Sequence, residues 1–336
     1  MIKIAIHHTD NSYSNRWISY CKENNLPYKI VNCYNNDIIS QLNDCSALMW
    51  HFHHASAKNC LFAKQLLYSV SKMGKHVFPI FDTVWHFDDK VGQKYLLEAI
   101  GAPLVPSYVF YSKADAVEWI NSTTFPKVFK LRGGAGSVNV KLVRNRSHAK
   151  KLINKAFGSG FHHDSLVPFS DLYHKFLKGR TSFLTVLKGF LRQFKETEFA
   201  KVHGKEKGYI YFQDFIPNND HDIRVIVIGD KAFAIKRMVR ENDFRASGSG
   251  QILYEKKLFD DTTLRLSFEM AEKLQTQCVA FDFVYKDGKP LVVEISYGFS
   301  IAGYDDCPGY WDKDLKWFEG KFNPYGWMVE NLIKNS

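Results

Sequence analysis

From Met1 to about Lys90 the chain alternates short apolar runs with helix-like stretches, and beyond that point it stops doing so. The runs "IKIAI", "YKIVNCY", "SALMWHF" and "HVFPIF" are separated by segments such as "NRWISYCKENN" and "NCLFAKQLLYSVSKMG". Strands that take turns with helices pair in parallel through crossovers, so this region predicts βαβ units. "DDKVGQKYLLEAIGAPLVPSYVFY" adds a helix, stopped at "GAP", and one further strand. After it the strands lie closer together, and "FPKVFKLRGGAGSVNVKLV" and "YIYFQDFIPNNDHDIRVIVIGDKAFAIKRMV" read as hairpins. The fold class expected is α/β followed by α+β.

With 336 residues, 45% of them hydrophobic, the chain can bury a substantial core spread over roughly two or three subdomains. Lys and Arg total 45 against 35 Asp and Glu, a formal charge of +10, which favours polyanionic partners: nucleotide phosphates, nucleic acid or an anionic membrane. No stretch has the form of a sequence-reading nucleic-acid motif, so that partner is disfavoured. The six cysteines form no C-x-x-C pair, as expected of reduced thiols in a cytoplasmic protein rather than of a zinc site. "MIKIAIHHTD" reaches His7 too soon for a signal peptide core, and no apolar run approaches a spanning helix.

Four stretches can carry chemistry. In "FKLRGGAGSVNVKLV", Lys130 precedes Gly133, Gly134 and Gly136, and a Gly-rich turn lets backbone amides approach phosphate oxygens beside a lysine charge. No Gly-Lys-Ser/Thr follows, so it is not a Walker loop, and such a hairpin is more often merely a turn. Asp222 and Arg224 open a hairpin whose return strand ends in Lys236 and Arg237, charged strand ends able to hold phosphate or carboxylate. "LMWHFHH" places His51, His53 and His54 after an apolar strand, beside Trp50, where open α/β sheets face their ligand crevice. Substrate contact or plain surface histidine is the better reading there than metal ligation, since no carboxylate or cysteine adjoins them.

The fourth stretch, "DFVYKDGKPLVVEISYGFS", reads as two apolar strands with one carboxylate inside each, Asp282 and Glu294. A two-residue Asp287-Gly288 loop sets Asp282 opposite Val293 and away from Glu294, whereas an odd loop count or a bulge sets the two carboxylates opposite one another. The second register is expected here. Carboxylates that close repel unless a cation lies between them, and oxygen donors without His or Cys select Mg²⁺ over zinc. Between these hairpins, "SFLTVLKGFLRQFKE" spaces Phe183, Leu184, Leu187, Phe190, Leu191 and Phe194 along one helical face opposite Lys188, Arg192 and Lys195. A basic amphipathic helix over 183–195 either lies on an anionic membrane or, more commonly, packs on its own domain.

The order of these pieces resembles the ATP-grasp superfamily from about Asp89 to Ser300: lysine and Gly-rich hairpin, Q-D-F-I strand, D-I-R-V, K-R, then Asp and E-x-S. The resemblance implies an ATP-grasp fold with an N-terminal βαβ domain over 1–100 and a central lid domain over 101–208, with the basic insertion at about 161–208. An antiparallel C-terminal domain would then occupy 209–336. It implies ATP and Mg²⁺ as cofactors, with Lys90 and Lys130 on the phosphates under a loop of Gly133, Gly134, Gly136 and Ser137. Gln213, Asp214, Phe215 and Ile216 would take the adenine, Asp222 the ribose, and Lys236 phosphate charge. Arg224 and Arg237 would steady the transferred group, and Asp282, Glu294 and Ser296 would face the metal, Ser296 standing where the family usually has Asn. The Asn commonly found after the preceding loop's Arg is also absent, "DFRASGSGQ" offering Ser247 instead.

Most members are ligases that activate a carboxylate as an acylphosphate and pass it to an amine. The chain is similar to ribosomal-protein glutamate-adding ligases and to ATP-grasp proteins of surface-polysaccharide gene clusters, which implies small-molecule carboxylate and amine substrates, a sugar acid among them. An ATP-grasp phosphotransferase with a hydroxyl acceptor is the first alternative, and a non-catalytic nucleotide-binding module at the membrane surface is the second.

Overall fold

The computed structural model describes residues 2–10, 12–53, 56–133, 139–162, 182, 204–239, 243–246 and 250–334. Gly134, Gly136, Ser137, His54, Ser247 and the expected 183–195 helix lie outside the described residues. Among those described, no helix is long and apolar enough to cross a membrane.

The first part of the chain runs β1 (Ile4–His7), α1 (Ser14–Glu23), β2 (Tyr28–Val31), α2 (Ile38–Gln41), β3 (Ala47–Met49), α3 (Ala57–Lys72) and β4 (His76–Phe78). Its strands form a parallel sheet in the order β2-β1-β3-β4. Every residue of β1 and β3 is buried, as a sheet covered on both faces requires. A short α4 (Phe81–Val84) leads to α5 (Lys90–Ala99), whose N-cap Asp89 accepts a hydrogen bond from Gly92 N at 2.9 Å.

The middle of the chain supplies β5 (Ser107–Phe110), α6 (Lys113–Ser122), β6 (Lys127–Lys130), β7 (Val140–Val143), α7 (Arg146–Ala156), the small ribbon β8 (Phe161–His162) with β9 (Lys205–Glu206), and β10 (Ile210–Asp214). An antiparallel sheet runs β5-β10-β6-β7. Period-two alternation divides it: Phe129 and Phe212 pack against Ile120, Leu152 and Ile153 of α6 and α7, while Val128, Lys130 and Gln213 face the other way, into a cavity.

The remainder comprises β11 (His221–Ile228), β12 (Lys231–Met238), β13 (Ile252–Leu253), α8 (Asp261–Lys273), β14 (Cys278–Lys286), β15 (Lys289–Ser296), β16 (Gly309–Asp312), β17 (Trp317–Glu319) and α9 (Pro324–Lys334). The sheet order is β15-β14-β11-β12-β16-β17, with β13 on β12. Val279, Phe281 and Phe283 turn toward Leu264 and Met270 of α8. Cys278 and Ala280, with Ile226, Ile228, Phe233 and Ile235, turn to the opposite face and join Ile4, Ile6, Met49 and Phe78 of the parallel sheet and Met328 of α9 in one core. That same face continues outward as charge: beyond Ile226 comes Arg224, beyond Ala280 comes Asp282, beyond Ile235 comes Arg237.

The β14–β15 hairpin turns on Asp287 (φ 51°) and Gly288 (φ 74°), both left-handed, the pairing a two-residue type I′ turn demands. A bulge then breaks the ladder between Asp282 and Phe283: Phe283 pairs with Val292, Asp282 with Glu294, and Val293 is the extra residue. Val293 is also where the middle sheet docks. Val105 N donates to Val292 O at 2.9 Å, Val292 N to Pro103 O at 2.8 Å, and the Gln213 amide to Val293 O at 3.3 Å.

Candidate active site

A cavity of about 410 Å³ lies between the middle sheet and the charged extension of the C-terminal sheet face. Its floor is a row of register partners across three strands, Arg224, Asp282 and Glu294, with Asp222 and Arg237 forming the next row. The bulge puts the two carboxylates side by side, since directly opposed residues share a face. The roof carries Val128, Lys130 and Gln213, one end Gln213 to Ile216 with Asn218, Asn219 and His221, and the other end His51, His53, Phe87, Asp88, Gly298 and Phe299.

The floor is an ion network. Arg224 grips Asp282 with Nε and Nη2, the latter donating to Oδ2 at 2.7 Å. Arg237 holds Asp222 bidentately at 2.7 and 2.6 Å and reaches Asp282 Oδ2 at 3.1 Å. Burial would raise the Asp282 carboxyl, but the two guanidiniums outweigh it and hold the pKa at about 2. Lys90, the first residue of α5, approaches Glu294 Oε1 at 3.3 Å with only 6% of its side chain exposed. Helix α5 is pinned to that strand by Gln93, whose Oε1 accepts from Ile295 N and whose Nε2 donates to His86 O. Lys90 N also donates to Arg132 O at 2.9 Å, so the end of the β6 segment meets the start of α5.

Gln213 joins roof to floor. Its Oε1 accepts from Lys130 Nζ at 2.7 Å, and its Nε2 donates to Ser107 Oγ as well as to Val293 O. Lys130 is 5% exposed, and burial pushes its ammonium down to about 8 although the Glu294 carboxylate pulls the other way. Asp214 is taken by Lys127 Nζ at 2.6 Å, and Lys127 lies over the Tyr108 and Trp119 rings. Asn219 clamps the loop before β11 by exchanging side-chain hydrogen bonds with both backbone groups of Tyr285, at 3.0 and 2.8 Å.

Of the residues singled out from sequence, Lys90, Lys130, Gln213, Asp214, Phe215, Ile216, Asp222, Arg224, Arg237, Asp282, Glu294 and Ser296 all line this cavity. Gly133 is buried outside its lining. Lys236 does not reach it: it precedes Arg237 in a regular strand, pairs with Ile223, and lies on the α8 side of the sheet. Asp222, expected at the ribose, and Arg224 and Arg237, expected at the transferred group, are ion-paired with one another and with Asp282 on the cavity floor. Ser296 Oγ donates to Gly298 O at 3.0 Å and accepts from Gly298 N at 3.2 Å, which shapes the turn after β15. His51 stacks on Tyr13 with centroids 3.6 Å apart, and its Nδ1 accepts from Tyr13 N. Sequence reasoning missed Asn218, Asn219, His221, Phe244 and Arg245, all loop or strand-end residues without a distinguishing spacing.

Asp282 and Glu294 fit a hard divalent cation. They offer carboxylate oxygens on one face, the hard donors Mg²⁺ takes, while among the described residues no group of three or more His, Cys, Asp and Glu is placed to hold a metal ion.

The arrangement of a parallel βαβ sheet, a smaller antiparallel sheet and a larger antiparallel sheet with a charged cleft between them is that of the ATP-grasp proteins, and the chain has this fold. Residues 188–306 match the model of the RimK-like ATP-grasp domain. D-alanine–D-alanine ligase from Bacillus anthracis, complexed with ATP, superposes with a TM-score of 0.56 at 12% identity, over 99% of this chain and 96% of its own. A RimK domain ATP-grasp protein from Sphaerobacter thermophilus superposes at 0.56 with 14% identity, over 98% and 99%. D-cycloserine synthetase does so at 0.57 with 12% identity, over all of both chains. No curated protein matches the sequence.

Proposed function

We propose that the chain is an ATP- and Mg²⁺-dependent ligase that joins a carboxylate to an amine through an acylphosphate. The observation that carries this reading is the bulged pairing of Asp282 with Glu294 on the cavity floor, within reach of Lys90 and beneath Lys130. The fold supports it, since a D-alanine–D-alanine ligase and a D-cycloserine synthetase share it. Adenine would lie at the Gln213 to Ile216 end, with the phosphates running over the floor toward Lys90.

A carboxylate is a poor electrophile, and transferring a phosphoryl group to it brings like charges together. Mg²⁺ held by Asp282 and Glu294 would spread the charge of the transferred group across its oxygens. The chain's own contribution is electrostatic: Lys90, Lys130 and Arg237 hold fixed positive charge against oxygens that gain charge in the transition state. Roof and floor would have to shield the activated acid from water, which would otherwise hydrolyse it. The acid and amine enter from the His51, Phe87 and Phe299 end, and a sugar acid heads the panel of acids to be tried. The 183–195 segment, with Lys188, Arg192 and Lys195 among apolar residues, is the candidate for peripheral membrane contact.

The test is ATP-dependent hydroxamate formation from a carboxylate panel with hydroxylamine, which traps the activated acid without its natural amine. Hydroxamate that disappears in Asp282→Asn and Glu294→Gln is the expected result. Transfer of phosphate to a hydroxyl instead, seen as a phosphate ester, would replace the ligase reading with that of a phosphotransferase.

A further inference from the structure

The geometry points to Arg224 as a placeholder cation: it grips Asp282 and makes acceptance of the divalent cation conditional on the nucleotide phosphates arriving with it. This rests on the reading of Asp282 and Glu294 as metal ligands. Arg224 covers both Asp282 oxygens, with Arg237 on Oδ2 as well, while Lys90 sits at Glu294. Both carboxylates are therefore already neutralised by the protein. A bare divalent ion would have to displace a bidentate guanidinium from Asp282 while bringing no new anion to receive it. A magnesium–triphosphate complex brings net negative charge. Its phosphate oxygens can receive the displaced guanidinium, which turns Arg224 from a lock on the metal ligand into a phosphate contact. Arg237 cannot make the same exchange as readily, because Asp222 retains it.

The experiment is a titration of the full chain with Mn²⁺ alone, no nucleotide present, read as loss of the free-ion EPR signal. The native protein is expected to bind Mn²⁺ weakly. Arg224→Met, which keeps bulk and removes the charge, is expected to bind at least tenfold more tightly, and adding Asp282→Asn to it is expected to cancel the gain. Arg224→Lys, which keeps the charge, is expected to stay near native. Tight stoichiometric binding of Mn²⁺ by the native chain would overturn the inference without recourse to any variant, and so would unchanged or weaker binding in a folded Arg224→Met. Calorimetry of MgATP binding to the native chain separates this from the functional reading: absence of nucleotide binding sinks that reading, while the Mn²⁺ comparison still reports whether Arg224 guards Asp282.

Discussion

Asp282 and Glu294 are chemically alike, yet their surroundings assign them different duties. Asp282 has 13% of its side chain exposed and neutralises two guanidiniums, whereas Glu294 has 30% exposed and faces one ammonium. Asp282→Asn leaves two buried cations short of a counter-charge and is expected to lower unfolding stability by about 3–5 kcal/mol in a urea titration. Glu294→Gln is expected to lower it by less than Asp282→Asn does, since Glu294 is the more exposed carboxylate, though its partner Lys90 is buried. Both should reduce Mg²⁺-dependent turnover by at least about 100-fold, so stability and activity are expected to separate in the second variant but not in the first. Lys130 gives a pH signature. Its pKa near 8 is depressed by burial, and phosphate oxygens brought beside it favour the charged form, so the bound state holds more protons than the free state above pH 8. Nucleotide binding at pH 8.5 is expected to take up protons, measured by calorimetry in buffers of different ionisation enthalpy, and Lys130→Met should abolish the uptake. Alternation explains which of two adjacent charges matters: Lys236 and Arg237 read equally well from the sequence, but only strand pairing decides that the second faces the cavity.

The β14–β15 hairpin shows where legibility ends. Asp287-Gly288 between apolar runs announces a two-residue turn, and the turn is there, with both residues at positive φ. Taken alone, that turn sets Asp282 away from Glu294; the bulge at Val293 restores their common face, and no residue type in "PLVVEIS" marks it. What holds the bulge is remote in sequence, the Gln213 amide on Val293 O and the Pro103 to Val105 segment on Val292. Deleting Val293 should regularise the ladder while keeping Asp282 opposite Glu294. The expected price is the Gln213 hydrogen bond, about 0.5–1.5 kcal/mol by urea denaturation. Mn²⁺ binding in an Arg224→Met background should survive, because the carboxylates stay paired. The ion pairs of Arg224 and Arg237 were equally hidden: each joins residues that only sheet register brings together.

The βαβ alternation up to about Lys90 and the hairpins beyond it are readable because hydrophobic period changes from one part to the next, whereas α6 to α9, β16 and β17 go unread in the sequence, and how the parts meet depends on single contacts. Tyr13, at the start of α1, donates its hydroxyl to Phe299 O at 2.8 Å and accepts from Phe299 N, tying the parallel sheet's first helix to the wall of the cavity beyond β15. Tyr13→Phe leaves both backbone groups unpaired in a buried place, and is expected to cost about 1–3 kcal/mol in denaturant unfolding, with weakened use of the acid substrate seen as a raised KM. The bond from Lys90 N to Arg132 O has a different reach. It is a tether between the residue that approaches Glu294 and the strand end from which the glycine loop departs. Rocking of that strand relative to α5 would stretch this link, so deuterium uptake at one amide, that of Lys90, serves as a gauge of how far the cleft stands ajar.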